Sequence, residues 1–290
     1  MMHYEGNIIR PPSEARSIIL QATVGCSHNR CSFCPTYRGV RFRIKDEATL
    51  LADIRYASQA YPRARRLFIT DGDALIIPFA RLLALLRTIN AEIPRLTRIG
   101  IYASAKSIRK KSLAELQALK EEKLGIIYYG LESGDDQTLT AINKGTTAGE
   151  TLELCTKAQD AGMVLSTTVM IGIAGVERSL IHARRTGELL TAIDPKYVGA
   201  LVTMVVPGTD LYQQYEEGSF NLPDKRGLLL ELREMIAHTH LSKGMFMANH
   251  ASNYLPIKIH SPKDREAALA MIDEALAGNI PLREEWMRGL

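Results

Sequence analysis

Apolar residues in the first two thirds of the chain fall into short continuous runs that alternate with longer amphipathic stretches. The short runs have the length and composition of buried strands, and the amphipathic stretches follow the 3.6-residue period of a helix. The predicted strands are residues 17–24, 66–69, 99–104, 125–131, 164–171 and 197–205. The predicted helices are residues 47–61, 78–93, 112–123, 135–142, 148–161 and 179–193. This order predicts six βα units in succession.

Alternating strands and helices predict a parallel sheet covered by helices, because parallel strands need a long right-handed crossover between them. We therefore predict an α/β fold, a (βα)6 partial barrel over residues 17–212, after an N-terminal segment at residues 1–16. Residues 213–290 are predicted to form a C-terminal helical extension that covers the barrel mouth, with helices near residues 225–239 and 262–276.

The start of one helix is marked by its own side chains. Ser112 is followed three residues later by Glu115, and this spacing is typical of a capping box. In a capping box each side chain binds a backbone N–H of the first helical turn that would otherwise lack a partner. The pair predicts that the helix begins immediately after Ser112.

The composition is that of an ordinary globular protein. The 290 residues include 36 Lys and Arg against 32 Asp and Glu, and 46% are hydrophobic. A net charge of only +4 argues against a dedicated nucleic-acid surface, without deciding the matter. No apolar run approaches the roughly 18 residues of a membrane-spanning helix, and residues 1–16 lack the apolar segment of a secretory signal. We expect a cytoplasmic protein without membrane contact.

Chemically distinctive residues stand where the predicted strands end. These residues are Cys26, Asp71, Glu132, Gly172 and Pro207. In folds built from parallel strands, the carboxyl ends of the strands carry the functional site. The sequence therefore predicts a site at this edge of the sheet.

Three cysteines lie close together in the loop after the first strand, with the spacing C-x4-C-x2-C at Cys26, Cys31 and Cys34. Cysteine thiolates hold iron–sulfur clusters, and three ligands leave one iron of a four-iron cluster open to a substrate or cofactor. The alternative is a structural zinc site in which His28 supplies the fourth ligand. The fourth cysteine, Cys155, lies in a predicted helix among apolar residues and is interpreted as a small core residue.

With this loop placed after the first strand of six βα units, residues 17–212 resemble the radical S-adenosylmethionine (radical SAM) enzymes. The resemblance is strongest to the branch with oxygen-independent coproporphyrinogen oxidase, the Elongator-type catalytic subunits and the radical methylthiotransferases. The chain departs from that pattern twice. The usual cysteine spacing is C-x3-C-x2-C, and the usual Gly-Gly-Glu turn after the second strand is replaced by Asp71-Gly72-Asp73.

The resemblance implies an oxygen-sensitive enzyme with a [4Fe-4S] cluster on the three cysteines. S-adenosylmethionine would bind the open iron and be cleaved reductively to a 5′-deoxyadenosyl radical, which abstracts hydrogen from, or adds to, a small organic substrate. The electron would come from a low-potential donor such as flavodoxin or ferredoxin. Two alternatives remain at this point: a radical tRNA-modifying enzyme similar to the Elongator-type relatives, and a non-catalytic binding module stabilised by zinc.

The resemblance also implies roles for five residues near the cysteines and strand ends. Phe33 matches the aromatic position that leans on the adenine, unless it only anchors the loop. Asp71, Gly72 and Asp73 match the turn that binds the methionyl ammonium through a carboxylate or a turn carbonyl, the alternative being a surface turn. Glu132, in the run Gly-Leu-Glu-Ser-Gly, matches the position that binds the ribose hydroxyls.

Further cofactor contacts are predicted on the fifth and sixth units. Ser166 and Thr168 alternate to one face of a strand and are predicted to meet the methionyl carboxylate, with Arg184 on the following helix as a bidentate partner. Arg184 is equally compatible with a solvated helix surface. Gly172 would let the adenine approach the backbone, and Pro207 would close the adenine pocket unless it belongs to a plain turn.

Residues flanking the barrel are the candidates on the substrate side. His250 and Tyr254 are the predicted catalytic residues, and an unperturbed histidine, with a pKa of about 6.5, can act as acid or base. Arg10 and Glu14 precede the barrel in a Pro-rich segment. The flanking segments resemble those of a stand-alone radical SAM subgroup of unassigned substrate. These residues either contact the substrate or pack the barrel ends.

Overall fold

The structure is a computed structural model, and it describes residues 1–289. Within them the strands are β1 (Ile18–Gln21), β2 (Thr23–Val24), β3 (Arg43–Ile44), β4 (Arg66–Thr70), β5 (Arg98–Ala103), β6 (Leu124–Glu132), β7 (Val164–Ile171), β8 (Tyr197–Val202), β9 (Met245–Ala248) and β10 (Ile257–His260). The helices are α1 (Glu47–Ala60), α2 (Phe79–Glu92), α3 (Ala105–Arg109), α4 (Leu113–Glu121), α5 (Asp136–Ala141), α6 (Ala148–Asp160), α7 (Gly175–Ile193), α8 (Asp210–Glu216), α9 (Lys225–Ala237) and α10 (Arg265–Leu276).

Eight strands form one mostly parallel sheet in the order β1-β4-β5-β6-β7-β8-β9-β10. The pairs β1/β4, β4/β5, β5/β6, β7/β8 and β8/β9 are parallel, and β10 is antiparallel to β9. The α/β class and the six predicted strands are confirmed, as β1 and β4 to β8. The C-terminal segment is not wholly helical, because it contributes β9 and β10 to the sheet.

The chain divides into two compact units. Unit 1 comprises residues 1–29, 36–129 and 154–165, and unit 2 comprises residues 30–35, 130–153 and 166–290. The predicted boundary at residue 212 is not among their limits, and it stays a prediction. No helix within residues 1–289 has the length and hydropathy of a membrane-spanning segment.

The core of unit 1 consists of apolar strand residues, and the buried side chain of Glu14 packs at one end of it. Phe68 packs edge-on against Tyr102 and Tyr128, with ring centroids 4.8 and 5.3 Å away. The fully buried carboxylate of Glu14 accepts a hydrogen bond from the Tyr128 hydroxyl at 2.5 Å and pairs with Arg98. Glu14 therefore packs the end of this core, which is one of the two roles predicted for it.

In unit 2 the strands β7 and β8 alternate strictly between buried and half-buried residues. Val169, Ile171 and Ala200 lie on the buried face, while Ser166 and Thr168 lie together on the more open face. The predicted alternation is confirmed. Helix α9 packs against α7, and α10 packs against α9 and β10.

Local side chains fix several helix starts. The Ser112 hydroxyl accepts from the Glu115 N–H at 3.1 Å, and the Glu115 carboxylate accepts from the Ser112 N–H at 2.8 Å. The predicted capping box is confirmed. Helices α3 and α8 were not predicted, because each is shorter than two helical turns and shows no apolar period.

We expect Ser112→Ala to lower the free energy of unfolding by about 1 kcal/mol, since the first turn of α4 loses its cap. Urea denaturation measures this change. Ser58→Ala is the control, because the Ser58 hydroxyl donates only to the Arg55 carbonyl of its own helix. It should change the free energy by less than about 0.5 kcal/mol, and equal effects of the two substitutions would contradict the assignment.

Candidate functional site

The loop that follows β2 carries Cys26, Cys31 and Cys34, all partly exposed thiols outside any disulfide. Three thiols on one short loop are the donor set of an iron–sulfur cluster, so the residues present fit that group. Within residues 1–289, no group of three or more His, Cys, Asp and Glu side chains is already arranged to hold a metal ion. The assignment of the three cysteines as ligands, to iron or to zinc, stays a prediction.

Asp71 ties the first half of this loop to the end of β4. Its buried carboxylate accepts from the Tyr37 hydroxyl, from the Gly25 N–H at 3.1 Å and from the Gln21 amide at 3.4 Å. Gly25 directly precedes Cys26, and Tyr37 follows the last cysteine by three residues. Burial raises the pKa of Asp71, while these hydrogen bonds oppose the shift. Burial and the bond to Asp71 raise the pKa of Tyr37, which therefore remains a donor.

Gly72 gives Cys26 and Tyr37 the room to pack against the turn. A Cβ at Gly72 would lie 2.5 Å from the Tyr37 ring and 2.8 Å from the Cys26 Cβ. Any side chain at this position would push Cys26 out of place. The glycine is therefore required by contact with the first cysteine.

Asp73 holds the same loop from a second side. Its fully buried carboxylate accepts from the Ser27 hydroxyl and from the Ser104 N–H and hydroxyl at 3.0 and 2.8 Å. Lys106 adds a hydrogen bond to the Ser27 carbonyl at 2.9 Å. The burial of Asp71 and Asp73 excludes the alternative of a surface turn. Because both carboxylates are engaged within the protein, a turn carbonyl is the better candidate for the methionyl ammonium.

Phe33 belongs to unit 2, where it packs against an apolar cluster of Leu139, Ile142, Ile173 and Leu211. The adjacent Ser32 is bonded on both sides through its backbone, to the Ile142 carbonyl at 3.1 Å and the Leu211 N–H at 3.0 Å. These contacts fit the role of a loop anchor. The predicted contact of Phe33 with adenine stays a prediction.

Glu132 ends β6 in a conformation that is unusual for a residue with a side chain. Its φ is +64°, and the Ser133 N–H donates to the Leu131 carbonyl at 2.8 Å, as in the rare and strained γ-turn of positive φ. The Glu132 Oε1 accepts from Lys144 at 3.0 Å. A Cβ at Gly130 would lie 2.2 Å from that oxygen, so the glycine makes room for the ion pair. Strain of this kind concentrates at functional sites.

Helix α7 holds the residues after Glu132 with polar side chains along one face. The Gly134 N–H donates to the Thr186 hydroxyl at 2.8 Å, and a Cβ at Gly134 would meet the Arg185 carbonyl at 2.3 Å. Arg178 binds both oxygens of the buried Asp135, at 2.9 and 3.0 Å. Burial opposes ionisation, but the hydrogen bonds from Arg178 and Thr138 lower the pKa of Asp135 to about 2.

A second buried acid, Glu231 of α9, lies against α7. It accepts from the Gly172 N–H at 2.5 Å and from the Ser179 hydroxyl, and it lies 3.4 Å from the His182 Nε2. Burial raises the pKa of Glu231 to about 7 and lowers the pKa of His182 to about 4. The two groups therefore coexist mainly in their neutral forms near pH 6.

The structure gives Gly172 and Pro207 roles other than a contact with adenine. Gly172 has φ +83°, and a Cβ there would lie 2.7 Å from Leu228 and 2.9 Å from Leu222, so the glycine is required by packing. Pro207 lies in the exposed turn before α8, which begins at the cap residue Thr209. Their predicted contacts with the cofactor stay predictions.

Arg184 is placed at the surface rather than toward the open face that carries Ser166 and Thr168. Its side chain is 61% exposed and binds Glu234 of α9 at 3.1 Å. The structure supports the solvated-helix interpretation of Arg184 and gives no support to its predicted contact with a carboxylate of the cofactor. The contacts predicted for Ser166 and Thr168 stay predictions.

The two predicted catalytic residues have structural partners. The His250 Nδ1 accepts from the Ser252 N–H at 3.2 Å, and burial, then Arg283, lowers the pKa of His250. Tyr254 is buried between Glu285 and Arg288, each 2.5 Å from its hydroxyl, and burial followed by the Glu285 bond raises its pKa to about 12. Tyr254 thus packs the C-terminal segment, and a catalytic role for it has no support here.

Among the residues that contact the site or its supports, Tyr37, Lys144, His182 and Glu231 were not predicted from the sequence. One of them carried a readable signal. Glu231 lies on the same helical face as Leu228, Leu232 and Met235, which indicates an inward side chain.

Cys155 is fully buried, and burial raises its pKa to about 12, which confirms the predicted core role.

Comparison with known families identifies the superfamily to which the fold belongs. The model of the radical SAM superfamily matches residues 20–183, more than half of the chain. The chain belongs to the radical SAM superfamily. Enzymes of this superfamily use a [4Fe-4S] cluster and S-adenosylmethionine.

Individual relatives of this radical SAM protein are distant. A candidate methylthiotransferase of Methanocaldococcus jannaschii is 24% identical over 165 residues, which cover 53% of this chain and 35% of that protein. Coproporphyrinogen III oxidase of Escherichia coli is 16% identical with a TM-score of 0.56, covering 77% of this chain and 53% of the other. The cobalamin-binding methyltransferase TsrM of Kitasatospora setae is 16% identical with a TM-score of 0.54, covering 92% and 55%. The chain spans between about a third and just over half of these relatives.

We expect Tyr37→Phe to loosen the cysteine loop of this radical SAM protein, since one donor to Asp71 is lost. The free energy of unfolding of the cluster-free protein should fall by about 1–3 kcal/mol. After reconstitution, a chelator should remove iron several-fold faster than from the wild type. Tyr56→Phe, which removes a phenol from the exposed side of α1, is the control. Unchanged iron release would show that the hydrogen bond does not support the loop.

Glu231 also predicts a pH dependence of stability. Its pKa in the folded protein, about 7, lies above its ordinary value, so folding favours the protonated acid and stability is lost as the pH rises through 7. Between pH 5.5 and 8, the wild type should lose about 2 kcal/mol of unfolding free energy relative to Glu231→Gln. Urea denaturation across this range tests it. His182 is present in both proteins, and a constant difference would contradict the prediction.

Proposed function

We propose that the protein reductively cleaves S-adenosylmethionine at a [4Fe-4S] cluster held by Cys26, Cys31 and Cys34. The bound cluster and cofactor would supply a 5′-deoxyadenosyl radical that reacts with a small organic substrate. The observation that carries the proposal is the fixed cysteine loop. Asp71 accepts hydrogen bonds from Gly25 and Tyr37, Asp73 accepts one from Ser27, and Gly72 packs against Cys26.

The protein's own task at the cluster is to present thiols in a defined place. A loop whose backbone is bonded before the first cysteine and after the last one has fewer conformations to lose when it binds the cluster. The fold would then set the place of Cys26, while the chemistry would belong to the cofactor. Phe33, which lies between Cys31 and Cys34 in the sequence, packs against the apolar cluster of unit 2.

Glu132 is the proposed ribose ligand. Its Oε1 is bound by Lys144, which leaves Oε2 to accept a hydrogen bond from a ribose hydroxyl. A hydrogen bond from the sugar to this carboxylate would be charge-assisted. The methionyl ammonium is assigned to a carbonyl of the turn at Asp71 to Asp73, because both carboxylates of that turn bind the protein itself.

The remaining partners are proposed by class. The more open face of β7, with Ser166 and Thr168, is the proposed wall for the methionyl carboxylate and the substrate. Radical SAM enzymes need a reductant, and a low-potential flavodoxin or ferredoxin is the proposed donor. The likeness to a candidate methylthiotransferase covers only 35% of that protein, so it leaves the choice between a small molecule and tRNA as substrate to experiment.

Anaerobic purification, iron and sulfide analysis, and a chromatographic assay for 5′-deoxyadenosine after dithionite reduction test the proposal. We expect about four irons per chain and S-adenosylmethionine cleavage. Cys31→Ala should lose both iron and product, whereas Cys155→Ala, which alters a buried core thiol, is the matched control and should retain both. Glu132→Gln should raise the KM for S-adenosylmethionine about tenfold or more, because a charge-assisted hydrogen bond is weakened.

The same experiment separates the alternatives. A protein that binds one zinc and forms no 5′-deoxyadenosine would overturn the proposal and favour the binding module. Cleavage that is stimulated by added tRNA, with binding that weakens steeply as salt is raised, would favour the RNA-modifying enzyme over one with a small-molecule substrate.

A further inference from the structure

The C-terminal segment contributes a buried acid to the matched part of the chain. Glu231 lies on α9, beyond residues 20–183 that the superfamily model covers. Its side chain is fully buried, and its two oxygens take the Gly172 N–H and the Ser179 hydroxyl. A buried carboxyl group is costly unless its partners are in place, so α9 and the turn after β7 depend on each other.

His182 contacts this acid, with Nε2 3.4 Å from the Glu231 Oε1, and is hydrogen-bonded to Ser133 after the end of β6. Its Nε2 lies 3.0 Å from the Met170 carbonyl, which only accepts, so Nε2 carries the proton and Nδ1 is an acceptor. The Ser133 hydroxyl, 2.7 Å from Nδ1, is then the donor. The same Ser133 oxygen accepts from the Asp135 N–H at 2.9 Å. A continuous line of hydrogen bonds therefore fixes the Ser133 side chain.

Ser133 also closes the strained turn at Glu132. Its N–H donates to the Leu131 carbonyl across Glu132, whose φ is +64°. A strained conformation persists only where the surroundings impose it. Fixing Ser133 from the side of α7 fixes one end of that turn, and the pair of Glu132 with Lys144 fixes the carboxylate. The orientation of the Glu132 side chain therefore depends on Ser133 and Lys144, which are not proposed to bind the cofactor.

We infer that Glu231 and His182 are positioning residues that act through Ser133 to hold Glu132 for the ribose of S-adenosylmethionine. The inference rests on the proposed function of Glu132. It makes the C-terminal segment part of the cofactor site, because α9 supplies the buried partner of His182. Loss of these positioning residues should weaken the binding of the cofactor and leave the rate of the chemical step unchanged.

The test uses the full-length, cluster-loaded protein and two readouts. The Kd for S-adenosylmethionine is measured by equilibrium dialysis without reductant, and KM and kcat are measured for 5′-deoxyadenosine formation with dithionite. Ser133→Ala should raise Kd and KM about tenfold while kcat changes less than twofold. Ser133→Thr keeps the hydroxyl and should recover most of the affinity. Glu231→Gln should raise Kd three- to tenfold.

Thr191→Val is the matched control. It removes a half-buried hydroxyl of the same helix that donates to the His238 carbonyl, and it should leave Kd within twofold of the wild type. Wild-type Kd values in both Ser133→Ala and Glu231→Gln, in a protein that cleaves S-adenosylmethionine, would overturn this inference alone. A wild-type protein that forms no 5′-deoxyadenosine would overturn the proposed function and the inference with it.

Discussion

Two buried carboxylates at the end of β4, those of Asp71 and Asp73, hold the segment around Cys26 in unit 1. A carboxylate out of water needs several donors, and Asp71 and Asp73 take theirs from the loop that starts at Gly25 and from the turn before α3. The loop is irregular, but the acids of this turn bind the two residues on either side of Cys26, Gly25 and Ser27. The acids that were predicted to bind the cofactor therefore hold the backbone and side chains next to the first cysteine.

In unit 2 the segment after β6 is likewise held by buried hydrogen bonds, and the side chains that make them belong to helix α7. Arg178, His182 and Thr186, one helical turn apart, all face the segment from Ser133 to Asp135. Their partners in the segment are the Asp135 carboxylate, the Ser133 hydroxyl and the Gly134 N–H, so the segment cannot relax without leaving polar groups unpaired. The close approach of Gly134 to the Arg185 carbonyl explains why a glycine stands there.

The sequence was sufficient for the elements that carry a clear period. Residues 164–171 are predicted to be a strand, and β7 has those bounds, because the run is rich in β-branched residues and lies between Gly162 and Gly172. The site was predicted only to the level of residue types at strand ends. Whether Asp73 faces a ligand or Ser104 depends on the path of a neighbouring loop, which no local pattern encodes. The surface ion pair of Arg184 could not be predicted for the same reason, since its partner Glu234 lies on a helix fifty residues further along the chain.

The longer cysteine spacer is the clearest departure from the family pattern, and its extra residue does not leave it loose. Asn29, inside the spacer, has φ +45°, a conformation that asparagine tolerates better than most residues. Its side chain donates to the Tyr37 carbonyl at 2.9 Å and to the Val40 carbonyl at 3.4 Å. The longer spacer therefore forms a turn whose Asn29 side chain binds the segment after the last cysteine. Because the Tyr37 hydroxyl donates to Asp71, Tyr37 joins the spacer to the end of β4, and the extra residue of the spacer lies in a turn with its own hydrogen bonds.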